Sequence, residues 1–294
     1  MADQQPARRI PSHPRFTIVR LLGTGRSGEV WEALDRDRGV GVALKALRAA
    51  EPSVLAGLGA RLAAFAGLLH PNLVRIEGIH LDREPPFFAM ERVEGVDFVA
   101  FVRAPRAAPP VARATLPLAF GQPVQDGGRS AFSPPTPAEL ARLGVALDGL
   151  LAGVGALHRA GKVHHDLHPG NVLVEPSGRA VLLDVDPLAD AGGLVAFAAG
   201  VPAYMAPEQA SGAASAASDL YAVGTMLFEA LTGALPFEGD AQTTMLRKQT
   251  VGAVRPSFVV DPVPRALDDL CVALLRREPS TRPTADEARR LARG

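Results

Sequence analysis

The chain has 294 residues, more than one small core needs and enough for one large two-lobed domain or two modest ones. Apolar residues make up 47% and charged residues 21%, which excludes an unfolded chain; 31 basic side chains balance 31 acidic ones, so charge calls for neither nucleic acid nor an anionic membrane. The single cysteine, Cys271, excludes an internal disulfide and a cysteine-based zinc site and suits a reducing compartment.

Residues 1–14 read as a polar tail whose start, MADQQPARRIP, lacks the apolar core of a secretion signal. From Arg15 to about Met90, short β-type runs (FTIVRLL, EVWEAL, VALKAL, LVRIEGI, FFAM) alternate with turn residues, and one helical stretch, SVLAGLGARLAAFAGLL, interrupts them. A Pro/Ala-rich segment at about 103–136 carries four arginines against one aspartate and little periodicity, so it reads as a flexible surface insertion. Helical periodicity then takes over. Leu140, Leu143, Leu147, Leu150, Val154 and Leu157 form an apolar stripe, opened by the capping signals of Thr136, Pro137 and Glu139. The longest uncharged run, Ala191 to Pro207, is broken by glycines and prolines, so no membrane span is expected there. Further helices are predicted at about 217–232, 264–275 and 284–292, the last opened by Thr284 and Glu287. The expected architecture is α+β: a small β-rich lobe with one main helix over 15–91, then a larger helical lobe over 92–294. The compartment expected is the cytoplasm.

Two clusters carry chemistry. Gly23-Thr24-Gly25-Arg26-Ser27-Gly28 is a G-x-G-x-x-G run, but a second strand follows it, not a helix, so it is a hairpin whose bare backbone can lie over phosphates. Lys45 sits inside the next apolar strand, where a buried cation needs an anionic partner. The second cluster runs from Val163 to Val174 and holds His164, His165, Asp166, His168 and Asn171, without the histidine spacing of a zinc helix. Asp184 ends the strand Ala180–Leu183, and with loop Asp and Asn side chains it can hold Mg²⁺ through hard oxygen ligands.

The order of these features resembles the protein kinase fold: Gly-loop, strand lysine, His70-Pro71-Asn72, HxDLxxxN, strand-end Asp, Ala206-Pro207-Glu208 and a helix beginning at Asp219. The stretches Tyr204–Gln209 and Phe228–Gly233 are similar to bacterial eukaryotic-like Ser/Thr kinases. That resemblance implies ATP and Mg²⁺ as cofactors and a protein substrate or signalling partner. It implies that Leu22, Gly23, Gly25, Gly28, Val30 and Ala43 enclose the nucleotide, and that Lys45 holds its α- and β-phosphates. Glu91 and Val93, after Met90, would meet the adenine through their backbone. Asp166 would accept the hydroxyl proton of the substrate, with His168 beside it as a further catalytic residue. Asn171 and Asp184 would hold the metal, and Glu208 would pair with Arg282 as a structural brace.

The chain departs from the family pattern at several positions. Counting back nine residues from His70, where the family places a glutamate to pair with the strand lysine, gives Arg61. His165 replaces the arginine that meets a phosphorylated activation loop, and residues 184–203 contain no Ser, Thr or Tyr. Asp184-Val185-Asp186 stands for Asp-Phe-Gly, Val201 for a threonine, and His168 for the lysine that touches the γ-phosphate. Three readings follow: an active Ser/Thr protein kinase, a nucleotide-binding pseudokinase that signals by docking, and a small-molecule phosphotransferase. The Ala-Pro-Glu motif weighs against the third.

Overall fold

The computed structural model describes residues 10–24, 28–47, 52–103, 132–183 and 202–294, and of residues 52–54 only the backbone. The chain divides into two compact units, one running to Val93 and one from Glu94.

The first unit is an antiparallel sheet of β1 (Phe16–Thr24), β2 (Gly28–Asp35), β3 (Val40–Leu47), β4 (Ile76–His80) and β5 (Phe87–Glu91), in the order β1-β2-β3-β5-β4, with helix α1 (Pro52–Ala66) against β4. Strand alternation decides which side each residue faces. Trp31, Leu44 and Ala89 are cross-strand partners and lie in one core with Phe16, Ala33, Val42, Ala46 and Phe87. The alternate positions Val30, Lys45 and Phe88, and beside them Ala43 and Met90, therefore share the other face. From Val42 onward β3 is buried on both faces, which is why its sequence reads as a continuous apolar run holding one lysine. Leu58, Leu62 and Phe65, spaced for one helical face, are the buried side of α1. Arg15 ties the start of β1 to the end of β2 by donating from Nε and Nη2 to Asp35 at 2.9 and 2.6 Å. Those bonds hold the Asp35 carboxyl below its usual range.

The second unit contains β6 (Val96–Asp97), α2 (Phe98–Val102), α3 (Pro137–Arg159), β7 (Val172–Val174), β8 (Ala180–Leu182), α4 (Ala216–Thr232), α5 (Ala241–Thr250), α6 (Arg265–Leu274) and α7 (Ala285–Arg293), the three strands pairing in the order β6-β7-β8. α3 starts with the expected capping box: Thr136 Oγ1 accepts the Glu139 N–H at 3.2 Å, and the Glu139 carboxylate accepts the Thr136 N–H at 2.6 Å. α3 has 23 residues, and its most apolar 18-residue window has a mean hydropathy of 1.6, so by length and composition it is long and apolar enough to cross a membrane. Here it is a core helix. Leu143, Leu147, Leu150, Val154 and Leu157 are buried, α3 packs on β8 and α7, and Asp148 binds Arg289 and Arg293 of α7.

α4 runs through the centre of this unit, with every residue from Ser218 to Phe228 buried. It approaches α6 closely enough that a Cβ on Gly224 would stand 2.7 Å from Leu274 Cβ, so only glycine fits there. Arg103, just past α2, donates to the Ser133 carbonyl at 2.7 Å and the Ala230 carbonyl at 2.9 Å. The two ends of the expected insertion are thus tied together; residues 104–131 lie outside the described residues.

Candidate active site

In the first unit the glycine hairpin follows the pairing of Gly23 with Val30 and Thr24 with Glu29. Gly28 has φ 156°, and a Cβ there would sit 1.8 Å from the Ala46 carbonyl oxygen, so this glycine is required by the approach of β3. Gly23 differs: a Cβ would meet nothing within 4 Å, so the protein itself does not demand a glycine there. Gly25 lies outside the described residues. Lys45 is 4% exposed, on the sheet face it shares with Val30, Ala43 and Met90, while Leu22 on β1 is exposed. The Glu91 N–H is bonded to the Arg75 carbonyl at 2.9 Å, so what Glu91 could offer an adenine is its carbonyl; Val93 is the last residue of this unit. Arg61 is half-buried on α1, a helix with no carboxylate along its length.

In the second unit the loop from His164 to Asn171 is fixed from three sides. Asp219, near the start of α4, accepts the N–H groups of His164 at 2.9 Å and His165 at 3.0 Å, and its carboxylate also meets His158 Nε2 at 2.8 Å. His164 is fully buried and its Nε2–H donates to the Leu183 carbonyl at 2.8 Å, a structural role. The Leu183 N–H in turn donates to the Asn171 carbonyl at 2.9 Å, so both backbone groups of the residue before Asp184 belong to this loop. Asp184 itself lies outside the described residues. His165 takes φ 68°, a left-handed conformation that L residues rarely adopt, and it is held there by Asp219 on its N–H and by Gln209 Nε2 on its carbonyl at 3.1 Å.

The result is an aspartate with a prepared setting. Asn171 Nδ2 donates to the Asp166 carbonyl at 2.8 Å and reaches its carboxylate at 3.4 Å. The Asp166 side chain is 28% exposed, and His168 Nε2 stands 3.9 Å from Asp166 Oδ2. A small cavity beside Asp166 is completed by Tyr204, Met205 and Gln209. Glu208 and Arg282 form the expected brace, paired twice at 2.6 and 2.8 Å. Burial pushes the Glu208 carboxyl up, but the bonds from Arg282 and from Ser218 Oγ at 2.7 Å outweigh it, and the net direction is down.

Sequence reasoning missed Lys248, which α5 carries into the interior, and Gln209, whose side chain ties Ala206 to His165. The one available signal was Asp240, three residues before Thr243, where its side chain caps α5 at 2.8 Å.

A sheet unit with a glycine hairpin and buried lysine, followed by a helical unit with a braced HxDLxxxN loop, defines a protein kinase domain. Residues 16–291 match the protein kinase domain family, and the chain belongs to it. It is 30% identical over 307 residues to the serine/threonine-protein kinase PkaA of Streptomyces coelicolor, a match covering 97% of this chain and 50% of that protein. It is 31% identical over 293 residues to the DNA damage-responsive serine/threonine-protein kinase RqkA of Deinococcus radiodurans, covering 93% and 38%. With PknA of Mycobacterium tuberculosis it shares 30% over 251 residues, 80% of this chain and 50% of that protein. The chain therefore spans about half or less of the length of these relatives.

Proposed function

We propose that this chain carries the catalytic domain of a bacterial-type Ser/Thr kinase, which transfers the terminal phosphoryl group of ATP to a hydroxyl of a protein substrate in the cytoplasm. The observation that carries the reading is the Asp166 loop, a part-exposed carboxylate fixed by Asn171 and by a backbone tied to both Asp219 and Leu183. Asp166 would accept the proton of the attacking hydroxyl. Lys45 would hold the α- and β-phosphates; Leu22, Gly23, Gly25, Gly28, Val30 and Ala43 would enclose the nucleotide; and Glu91 and Val93 would meet the adenine.

Asn171 and Asp184 suit a hard cation, since both supply oxygen, and Asn171 already uses its Nδ2 on Asp166, leaving the oxygen for the metal. Bound Mg²⁺ would neutralise phosphate charge. With no hydroxyl residue between 184 and 203 and histidine at 165, the activity would not depend on phosphorylation of that segment.

One observation favours the second reading, a nucleotide-binding pseudokinase acting by docking: α1 offers no carboxylate, and Arg61 stands where the family has glutamate. Incubating the purified domain with Mg²⁺, radiolabelled ATP and a generic protein substrate separates the two. Label above an Asp166→Asn control is expected. No label, with a melting temperature still raised by Mg-ATP, identifies the pseudokinase; saturation of about 100 Kd would stabilise by about 2.7 kcal/mol.

A further inference from the structure

Helix α5 is polar along most of its length, yet Lys248 on it is 2% exposed. Its Nζ donates to three carbonyls of one short stretch, those of Pro202 at 2.8 Å, Ala203 at 2.7 Å and Met205 at 2.7 Å. An ammonium has three N–H groups, one for each of these acceptors. The Tyr221 ring lies 5.3 Å from the same nitrogen, and Arg282 rests on that ring at 4.9 Å. Three carbonyls from four consecutive residues turn toward one point only if the backbone curls around it, so Lys248 dictates the shape of 202–205. The charge costs free energy to bury, and it is kept where a buried leucine or methionine would pack without that cost.

That stretch forms the far wall of the cavity beside Asp166, through Tyr204 and Met205. It is anchored at two further points: Tyr204 Oη donates to Glu229, and Gln209 bonds the Ala206 N–H at 2.7 Å and the His165 carbonyl at 3.1 Å. A protein segment bringing its hydroxyl to Asp166 can lie along this wall.

We propose that Lys248 is a positioning residue for the protein substrate, clamping residues 202–205 into the ledge along which the acceptor segment lies. The clamp is internal, complete when the ammonium is charged, and it makes the order of this ledge independent of any phosphate. The substrate role rests on the kinase reading; the ordering of the ledge does not.

The test is hydrogen exchange on a peptide spanning 202–209, joined to steady-state kinetics. In the wild type this peptide is expected to exchange about a hundredfold more slowly than an unstructured one; fast exchange there overturns the clamp before any variant is made. Lys248→Met, which keeps the packing and removes the donors, is expected to speed exchange at least about tenfold in this peptide and not in α4. It is expected to raise the KM for protein substrate about tenfold while leaving the KM for ATP unchanged, with Lys248→Arg recovering part of the loss. Where Lys248→Met does not fold, Lys248→Gln, whose shorter amide keeps two donors, takes its place, with the same direction of change and a smaller size expected. Unchanged exchange, or a lowered kcat with an unchanged protein KM, overturns the proposal. A wild type without phosphotransfer overturns the kinase reading alone, and the exchange result still decides whether Lys248 orders the ledge.

Discussion

The Gly170 N–H donates to Nδ1 of His168 at 3.1 Å. Nδ1 is therefore engaged as an acceptor, and Nε2 is the ring atom that faces the Asp166 carboxylate, at 3.9 Å. His168 thus stands beside Asp166 where the family has a permanent cation.

His168→Lys restores that cation near the transferring phosphoryl group, whose stabilisation is mainly electrostatic. The expected result is a rise in kcat of about tenfold, with a melting temperature lowered by no more than about 4 °C, since the Gly170 N–H loses its Nδ1 acceptor. His165→Gln is the control: the contacts of residue 165 to Asp219 and Gln209 run through its backbone, so kcat should stay within about twofold. Equal kcat in His168→Lys and wild type would reduce His168 to a spacer.

The Glu208–Arg282 pair should be the costliest ion pair to break. The Arg282 guanidinium is fully buried and also bonds the carbonyls of Ala217, Arg276 and Arg277. Arg282→Met strands Glu208 and should cost about 3–5 kcal/mol in urea unfolding. The carboxyl is held below its ordinary range in the folded state, so its contribution is complete above the unfolded glutamate pKa and is lost as pH falls through the lowered value. Glu208→Gln should therefore lower stability at neutral pH and flatten the acid limb of the stability curve.

Lys248 gives the opposite pH signature. Burial pushes its ammonium down to about 7, with Glu208 opposing the change. Between that value and the ordinary lysine range the unfolded chain binds a proton that the folded chain does not, so stability should rise with pH across that window. Urea midpoints taken from about pH 7 to about pH 8, below the range where an unfolded cysteine ionises, should climb in the wild type and climb less in Lys248→Met.

Why some of this was legible in the sequence and some was not has a physical answer. Strand alternation and the leucine stripe of α3 report burial on one side of an element, so β1 to β5 and the central helices lie close to their expected places. The site loop was legible because its donors and acids sit within eight residues, 164–171, and their spacing alone carries the pattern. α5 has no such stripe. It is held by the Asp240 cap and by a lysine bonded to backbone carbonyls, and a carbonyl has no letter in a sequence. The burial of Lys248 was invisible for the same reason, as was the acceptor role of His168 Nδ1, which depends on a backbone N–H.

The insertion should be dispensable for folding. Arg103 and Ser133 already join its two ends, and Arg142 Nη2 donates to the Val102 carbonyl at 2.7 Å, closing α2 just before it. Replacing 104–131 by a short Gly/Ser linker then adds little closure entropy, since halving a loop changes it by only about 0.6 kcal/mol. The melting temperature should move by less than about 4 °C, the shift expected for roughly 1 kcal/mol in a chain of this size. A collapse of the cooperative transition would show that the segment packs as part of the helical unit.

Arg61 decides between the two functional readings. A glutamate on α1 would add to the sheet unit the one carboxylate that the family supplies near its strand lysine, and this helix has none. An arginine in its place supplies no anion to pair with Lys45, so α1 cannot fix that lysine as the family's glutamate does. If the arrangement in which Lys45 meets phosphate is a minor population, Arg61→Glu should enlarge it and raise kcat, with the gain bounded by the fraction still missing. The expected result is a several-fold to about tenfold rise in kcat, accompanied by tighter Mg-ATP binding and a melting temperature within about 3 °C of the wild type. A folded Arg61→Glu variant that gains neither turnover nor affinity would mean that α1 has left the catalytic arrangement altogether. In that event Lys248→Met should still loosen residues 202–209, because that clamp lies wholly within the helical unit.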